Sequence, residues 1–259
     1  MKKDKKELKF KFDPNIDYQL DAINSVVDIF EGNKTGASEI AYIYNSDSEK
    51  LIDVKSVKNI LNLEDDEILE NLDNVQEKNN INQDLEELDG KNFTIEMETG
   101  TGKTYIYLRT ILELNEKYDM KKFIIVVPSV AIREGVIKTL EITKEHFNKL
   151  YDNKIYKYYE YDSNNLNLLK QFSYSNDIEI MVMTIQSFRD EDRNVINNYN
   201  DKIDAETPME IVRTANPILI LDEPQNMEKE TSKEALKRLN PLFKLRYSAT
   251  HKNYYNLVY

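Results

Sequence analysis

The sequence has 259 residues, of which 40% are hydrophobic and 32% charged, and its formal net charge is −12 at pH 7. This length and composition are typical of a globular protein with a substantial core, and the lack of cysteine excludes disulfides, thiolate zinc sites and cysteine nucleophiles. The longest apolar runs, 123–127 and 218–221, are far shorter than the roughly 20 residues needed to span a bilayer. We therefore expect a cytoplasmic protein with no membrane partner.

The first predicted element is a helix, because apolar residues recur at helical spacing at Leu20, Ile23, Val26, Val27 and Phe30. The segment 33–91 that follows is predicted to be an acidic insertion: residues 39–89 hold 15 Asp and Glu against 4 Lys, a net charge of −11. Its start alternates like a strand or hairpin, and 61–88 predicts one or two exposed helices. The favoured interpretation is a solvated surface segment without a binding role, and the alternative is an element that binds a partner or clamps DNA. The rest of the chain is almost neutral, which leaves room for a basic surface.

From residue 92 onward, the pattern alternates between strands and helices. Strands are predicted at 93–95, 122–128, 155–161, 178–184, 218–221 and 243–247, and helices at 104–114, 131–150 and 232–239. Such alternation indicates a parallel sheet covered on both faces. We therefore predict an α/β fold, a three-layer α/β/α sandwich with a mostly parallel sheet, in one domain that spans 1–259 and contains the acidic insertion.

The strongest functional signal follows the first of these strands, where the sequence reads Met97-Glu98-Thr99-Gly100-Thr101-Gly102-Lys103-Thr104. It matches the end of the phosphate-loop pattern G-x-x-x-x-G-K-[ST], with methionine in place of the first glycine. The glycines allow backbone angles that turn successive N–H groups toward one anion. Lysine supplies a charge for the β- and γ-phosphates of ATP, and threonine a hydroxyl for Mg²⁺. The predicted nucleotide-binding residues here are Thr99, Gly100, Thr101, Gly102, Lys103 and Thr104.

A second signal, Asp222-Glu223-Pro224-Gln225, comes directly after the apolar run 217–221. Open α/β sheets bind ligands at the carboxyl ends of their strands. Asp222 is predicted to hold Mg²⁺, through its water, and Glu223 to orient or deprotonate the attacking water. Adjacent acids are common in a chain with 47 Asp and Glu, so this interpretation depends on the phosphate loop at the same edge of the sheet.

Two weaker signals flank these motifs. Ser248-Ala249-Thr250 follows the last predicted strand, where a plain polar loop is the alternative. Gln19 stands at the start of the first helix. Its amide can donate to and accept from adenine at once, although a polar residue at a helix start explains it equally.

Together, these motifs resemble the motor of superfamily-2 helicases, of the DEAD/DEAH-like kind, and more closely the restriction (Res) subunit of Type III restriction–modification enzymes. The resemblance covers about residues 10–32 and 92–259. The segments that carry the closer resemblance to the Res subunit are 97–104, 127–135, 222–225 and 247–251. It implies a RecA-like ATP-binding domain that uses ATP and Mg²⁺ to drive translocation on double-stranded DNA, beside a modification methyltransferase (Mod) partner. It also implies catalytic roles for Lys103, Asp222 and Glu223.

By the same resemblance, Ser248 and Thr250 couple hydrolysis to movement, and the DNA backbone is contacted by Ser129, Arg133, Thr184 and Ser187. Hydroxyls, N–H groups and an arginine at helix starts suit phosphates, although ordinary helix caps would look the same. The family's second motor domain, with its arginine fingers, and its nuclease domain have no counterpart within 1–259, so we expect slow hydrolysis and no DNA cleavage. The alternatives are another superfamily-2 DNA or RNA helicase motor and a nucleotide-binding module with little activity.

Overall fold

The computed structural model describes residues 10–34, 40–45, 50–83, 85–161, 167–188 and 208–259. Within them the strands are β1 (Ile40–Asn45), β2 (Lys50–Val57), β3 (Asn92–Glu96), β4 (Lys122–Val127), β5 (Tyr156–Glu160), β6 (Ile178–Thr184), β7 (Ile218–Asp222) and β8 (Lys244–Ser248). The helices are α1 (Asp17–Asp28), α2 (Asp65–Lys78), α3 (Lys103–Tyr118), α4 (Val130–Leu150), α5 (Asn167–Tyr174), α6 (Pro208–Thr214) and α7 (Glu230–Arg238). Short 3-10 helices lie at Ile185–Phe188 and Pro224–Met227.

Six strands form one sheet in the order β3-β8-β7-β4-β6-β5, and every neighbouring pair is parallel. The predicted α/β class with a mostly parallel sheet is therefore confirmed. The order also places β8 between β3 and β7. Because parallel strands end at the same edge of a sheet, the segments that follow these three strands meet there.

Helices cover both faces of the sheet, because the central strands carry apolar side chains on both sides. In β4, Phe123 and Ile125 belong to a core formed with α1, α2, α3 and α4, whereas Ile124 and Val126 belong to a second core formed with α5, α6 and α7. All four side chains are fully buried. Burial on both faces explains the continuous apolar run of this strand, and it completes the predicted three-layer sandwich.

The acidic segment before β3 is only partly as predicted. β1 and β2 form an antiparallel hairpin, as the alternation indicates. The prediction of exposed helices, however, is wrong for one face of α2: Ile68 and Leu72 are fully buried in the first core. Asn71 between them donates hydrogen bonds to two backbone carbonyls just after α1. An apolar stripe at four-residue spacing therefore anchors this helix despite its acidic composition.

Two helices of the second face, α5 and α6, are not predicted from the sequence. They have 8 and 7 residues, too few for apolar periodicity to stand out from chance. No helix in the described ranges is long and apolar enough to cross a membrane.

The last residues of the chain run along the outer side of β3. Leu257 pairs with Thr94 in parallel, and the N–H of Val258 donates to the carbonyl oxygen of Thr94 at 2.8 Å. The N–H of Glu96 in turn donates to the carbonyl oxygen of Tyr259 at 2.6 Å. The strand that leads into the glycine loop is therefore hydrogen-bonded on both sides.

Candidate active site

The loop between β3 and α3 has the geometry of an anion-binding turn. Gly100 and Gly102 have φ angles of 87° and 88°, which other residues rarely adopt. Gly102 directly precedes the first residue of α3, so the free N–H groups of the first helical turn lie at this loop. The hydroxyl of Thr101 closes the turn by donating to the carbonyl oxygen of Glu98 at 2.7 Å. The loop thus offers the backbone donors that a phosphate requires.

The positive φ of Gly102 gives a stability prediction. Gly102→Ala is expected to lower the free energy of unfolding by about 1–2 kcal/mol, because a side chain is strained in the left-handed region. A Cβ here would also lie 3.0 Å from Nε2 of Gln19. Urea unfolding measures the loss.

The matched control is Gly135→Ala. Gly135 lies within α4, and nothing lies within 4 Å of a Cβ added there. Alanine at this position should therefore stabilise the chain by roughly 0.5–1 kcal/mol. Equal stability of the Gly102→Ala variant and the wild type would contradict the described conformation of the loop.

Lys103 points into the site and not into solvent. Its side chain is 10% exposed, and Nζ lies 3.1 Å from Oε1 of Glu223 and 3.3 Å from the carbonyl oxygen of Met97. The ion pair joins the loop after β3 to the acidic pair after β7. The structure therefore brings the two strongest sequence motifs together at one edge of the sheet.

Asp222, the last residue of β7, is a buried carboxyl group. Burial, together with the neighbouring charge of Glu223, raises the pKa of Asp222 to about 6. Its Oδ2 accepts a hydrogen bond from the hydroxyl of Tyr107 at 3.3 Å. A carboxylate in these surroundings is stabilised by a nearby cation.

Glu223 is held in a strained and well-defined position. Its φ of 54° lies in the left-handed region, which a non-glycine residue adopts only at a cost. Burial alone would raise the pKa of its carboxyl, but hydrogen bonds from Gln225, Ser248 and Lys103 hold that pKa below its usual value. Glu223 is therefore ionised at neutral pH.

Ser248, at the end of β8, lies against this carboxylate. Its Oγ is 2.8 Å from Oε2 of Glu223 and 2.8 Å from Oε1 of Gln225. Thr250 contacts Ser248 through its backbone, since its N–H donates to Ser248 Oγ at 3.2 Å. Ser248 therefore contacts Glu223 directly and Thr250 contacts Ser248, and the coupling role of both residues stays a prediction.

A buried ion pair between Glu228 and Arg246 joins the same two segments. Their side chains are 11% and 9% exposed, and Glu228 also lies 3.3 Å from Nζ of Lys233 in α7. Burial would raise the pKa of Glu228, but Arg246 and Lys233 lower it. The guanidinium of Arg246 lies 4.5 Å from the ring centre of Tyr255. The pair fixes the segment after the acidic motif against β8.

Gln19 lies against the glycine loop. Its Nε2 donates to the carbonyl oxygen of Thr101 at 3.0 Å, and the hydroxyl of Tyr18 donates to the same oxygen at 3.0 Å. The structure places this amide beside the loop, and its contact with adenine stays a prediction.

The donor groups of the site suit a magnesium ion. Within the described ranges, no three His, Cys, Asp or Glu side chains form a cluster that could hold a metal ion. Mg²⁺ is usually bound by one or two carboxylates together with phosphate oxygens and water. Thr104 and Asp222 offer a hydroxyl and a carboxylate, and both are neighbours of the Tyr107 hydroxyl. This set fits a metal ion that arrives with a phosphate ligand.

The four predicted DNA-contact residues lie at or just beyond the ends of the neighbouring strands β4 and β6: Thr184 ends β6, and the other three lie between the strand ends and the first helical turns that follow. Ser129 caps α4, accepting a backbone N–H at 3.4 Å. The hydroxyls of Thr184 and Ser187 are 3.3 Å apart. Arg133 forms an ion pair with Glu160, with Nε 3.1 Å from Oε2. The cap explains Ser129 structurally, and contact with DNA stays a prediction for all four.

Comparison with known families decides the relationship. The family model described as "Type III restriction enzyme, res subunit" matches residues 15–253. The chain belongs to this family. The Res subunit of the Type III restriction-modification enzyme EcoP15I from Escherichia coli is 29% identical to this Res-family chain over an alignment of 251 residues, gaps included, that covers 87% of the chain. The EcoPI Res subunit of Escherichia phage P1 is 28% identical over an alignment of 271 residues, gaps included, that covers 96% of the chain.

The Res-family chain spans only 26% and 27% of the length of these two relatives. Among solved structures, the SWI2/SNF2 ATPase core of Sulfolobus solfataricus in complex with dsDNA is 13% identical. The likeness covers 71% of this chain and 31% of that one, with a TM-score of 0.39. No conclusion about function rests on this similarity.

Three residues of this Res-family site were missed by sequence reasoning: Tyr107, Glu228 and Arg246. Tyr107 stands in an apolar stretch of α3, where a tyrosine is normally a core residue. Glu228 and Arg246 are 18 residues apart and on different elements, and a pairing of that kind leaves no periodic signal in the sequence.

Proposed function

We propose that this Res-family domain binds and hydrolyses ATP with Mg²⁺, and that in the complete enzyme this hydrolysis drives translocation on double-stranded DNA. The supporting observation is that the glycine loop and the acidic pair, far apart in sequence, meet at one edge of the sheet. There, Lys103 Nζ lies 3.1 Å from Glu223 Oε1. The Type III Res relatives, aligned over most of this chain, support the same function.

In this proposal, the backbone N–H groups of Thr99 to Thr104 hold the phosphates, and Gln19 pairs with adenine. Thr104 and Asp222 would hold Mg²⁺, and the ion would supply positive charge beside the transferring phosphoryl group. Lys103 exchanges its contact with Glu223 for the β- and γ-phosphates. That exchange frees the Glu223 carboxylate, already ionised, to orient the attacking water and take its proton.

The DNA side of the proposal uses the polar residues at the ends of β4 and β6. Hydroxyls and an arginine contact the phosphate backbone of DNA. The residues assigned to this role are Ser129, Arg133, Thr184 and Ser187. Such contacts position a protein on DNA without reading sequence, so recognition of a site falls to a Mod methyltransferase partner. Ser248 and Thr250, beside Glu223, transmit the state of the nucleotide to the segment after β8.

The test uses the purified 259-residue chain. Binding of fluorescent ADP and ATP analogues is measured with and without Mg²⁺, and phosphate release with and without duplex DNA. We expect Mg²⁺-dependent binding, with slow hydrolysis and no DNA cleavage by these 259 residues on their own. Absence of nucleotide binding at millimolar Mg²⁺ would refute the proposal, and fast DNA-stimulated turnover would refute the expectation of slow hydrolysis.

A further inference from the structure

Tyr107 is a buried polar side chain whose hydroxyl lies between the two predicted Mg²⁺ ligands. The residue is 0% exposed and stands one turn after Thr104 in α3. Its hydroxyl donates to Oδ2 of Asp222 at 3.3 Å, and the Thr104 side chain is another of its neighbours. None of the roles proposed above uses this hydroxyl.

The Asp222 carboxylate determines the direction of the Tyr107 proton, and the Tyr107 oxygen in turn affects the direction of the Thr104 proton. A phenolic hydroxyl is protonated at neutral pH and can both donate and accept a hydrogen bond. An ionised carboxylate can only accept, which directs the Tyr107 proton toward Asp222. The Tyr107 oxygen is then free to accept from the neighbouring Thr104 hydroxyl, whose lone pairs would be left for a metal ion. Oδ1 of Asp222 is likewise left for the ion or its water.

Packing alone does not require this hydroxyl. The ring of Tyr107 packs against that of Tyr247, with centroids 5.6 Å apart, and a phenylalanine would fill the same space. Tyr247 is also 0% exposed, and its hydroxyl also bonds at 3.3 Å, but to the side chain of Thr110. The two tyrosines therefore match in burial and bond length and differ in the group they bind.

We propose that Tyr107 is a positioning residue for the Mg²⁺ site, whose hydroxyl holds Thr104 and Asp222 in the orientation that receives the ion together with the nucleotide phosphates. This inference rests on the proposed nucleotide binding. Groups that hydrogen-bond to metal ligands typically contribute about 10–100-fold to metal affinity. The effect of Tyr107 should therefore show in the Mg²⁺ dependence of binding, separately from the affinity of the loop for phosphate.

The experiment compares Tyr107→Phe with Tyr247→Phe in the full chain. A fluorescent ADP analogue reports binding while Mg²⁺ is titrated, and binding in EDTA gives the metal-independent affinity. Tyr107→Phe is expected to raise the Mg²⁺ concentration for half-maximal binding about 10-fold and to leave the affinity in EDTA unchanged. Tyr247→Phe should change neither quantity, because its hydroxyl bonds to Thr110.

Each result separates the two proposals. A wild-type chain that binds no nucleotide at any Mg²⁺ concentration would refute the proposed function itself. A wild type that binds with Mg²⁺, with equal Mg²⁺ dependence in the two variants, would refute the role of Tyr107 alone. Loss of affinity in EDTA, or a melting temperature far below that of Tyr247→Phe, would show that the Tyr107 hydroxyl supports the fold and would also overturn the inference.

Discussion

Lys103→Ala is expected to weaken the binding of Mg²⁺–ATP about 100-fold, which corresponds to about 2.8 kcal/mol. The lysine side chain is 10% exposed and lies 3.1 Å from Glu223, so alanine removes a side-chain cation that lies between the loop and the acidic pair. The loss combines a charge-assisted contact to phosphate with an unpaired carboxylate left beside the phosphates. Isothermal titration calorimetry with a non-hydrolysable ATP analogue measures the change.

The control for this prediction is Lys117→Ala on the same helix. Lys117 lies in the last turn of α3, is 43% exposed and pairs with Asp28 at 3.3 Å. Its removal deletes the same charge from the same element without touching the loop, so affinity should stay within about twofold of wild type, as expected for an exposed ion pair. If both variants bind equally well, the loop is not the nucleotide site.

Glu223→Gln is expected to leave nucleotide binding intact and to slow hydrolysis by about 10²–10⁴-fold, the usual contribution of a general base. Glutamine has the size of glutamate and can still bond with Ser248 and Gln225, which hold the carboxylate in the native chain. It cannot take a proton from water. Because the isolated domain should hydrolyse slowly, single-turnover phosphate release with enzyme in excess over ATP is the suitable measurement.

Glu230→Gln is the matched control for the loss of one carboxylate. Glu230 is an exposed residue in the first turn of α7 and should leave the rate unchanged. Retention of wild-type hydrolysis by Glu223→Gln would remove Glu223 from the mechanism. A loss of nucleotide affinity equal to that of Lys103→Ala would instead assign Glu223 to binding.

Much of the fold could be predicted because strands that are buried on both faces of a sheet consist mainly of consecutive apolar residues. β4 and β7 contain the continuous apolar runs 123–127 and 218–221, and β6 is apolar except at Glu179 and Thr184. The predicted and observed bounds of these three strands agree within one residue. The prediction failed where composition and periodicity disagree. In α2 the acidic and Asn-rich sequence favoured an exposed helix, yet Ile68 and Leu72 at four-residue spacing bury one face in the core.

The candidate site likewise contains residues that could be predicted from the sequence and residues that could not. Lys103 and Asp222 could be predicted because phosphate binding at a strand–helix junction demands particular residues at fixed spacing. Tyr107 could not, since an internal tyrosine of an apolar helix carries no mark of the group that it bonds. Arg246 and Glu228 meet only because β8 lies beside β7, and that neighbourhood is a property of strand order, which the sequence alone does not specify.

The pairing of the chain's last residues with β3 has a practical consequence for work on this domain. Thr94 and Glu96 exchange backbone hydrogen bonds with residues 256–259 on the side of β3 that faces away from β8. A shortened version ending before Tyr255 would leave that side unpaired, and an unpaired strand edge is a template for association with other molecules. Aggregation of such a version would then reflect an uncovered sheet border and not a failure of the glycine loop.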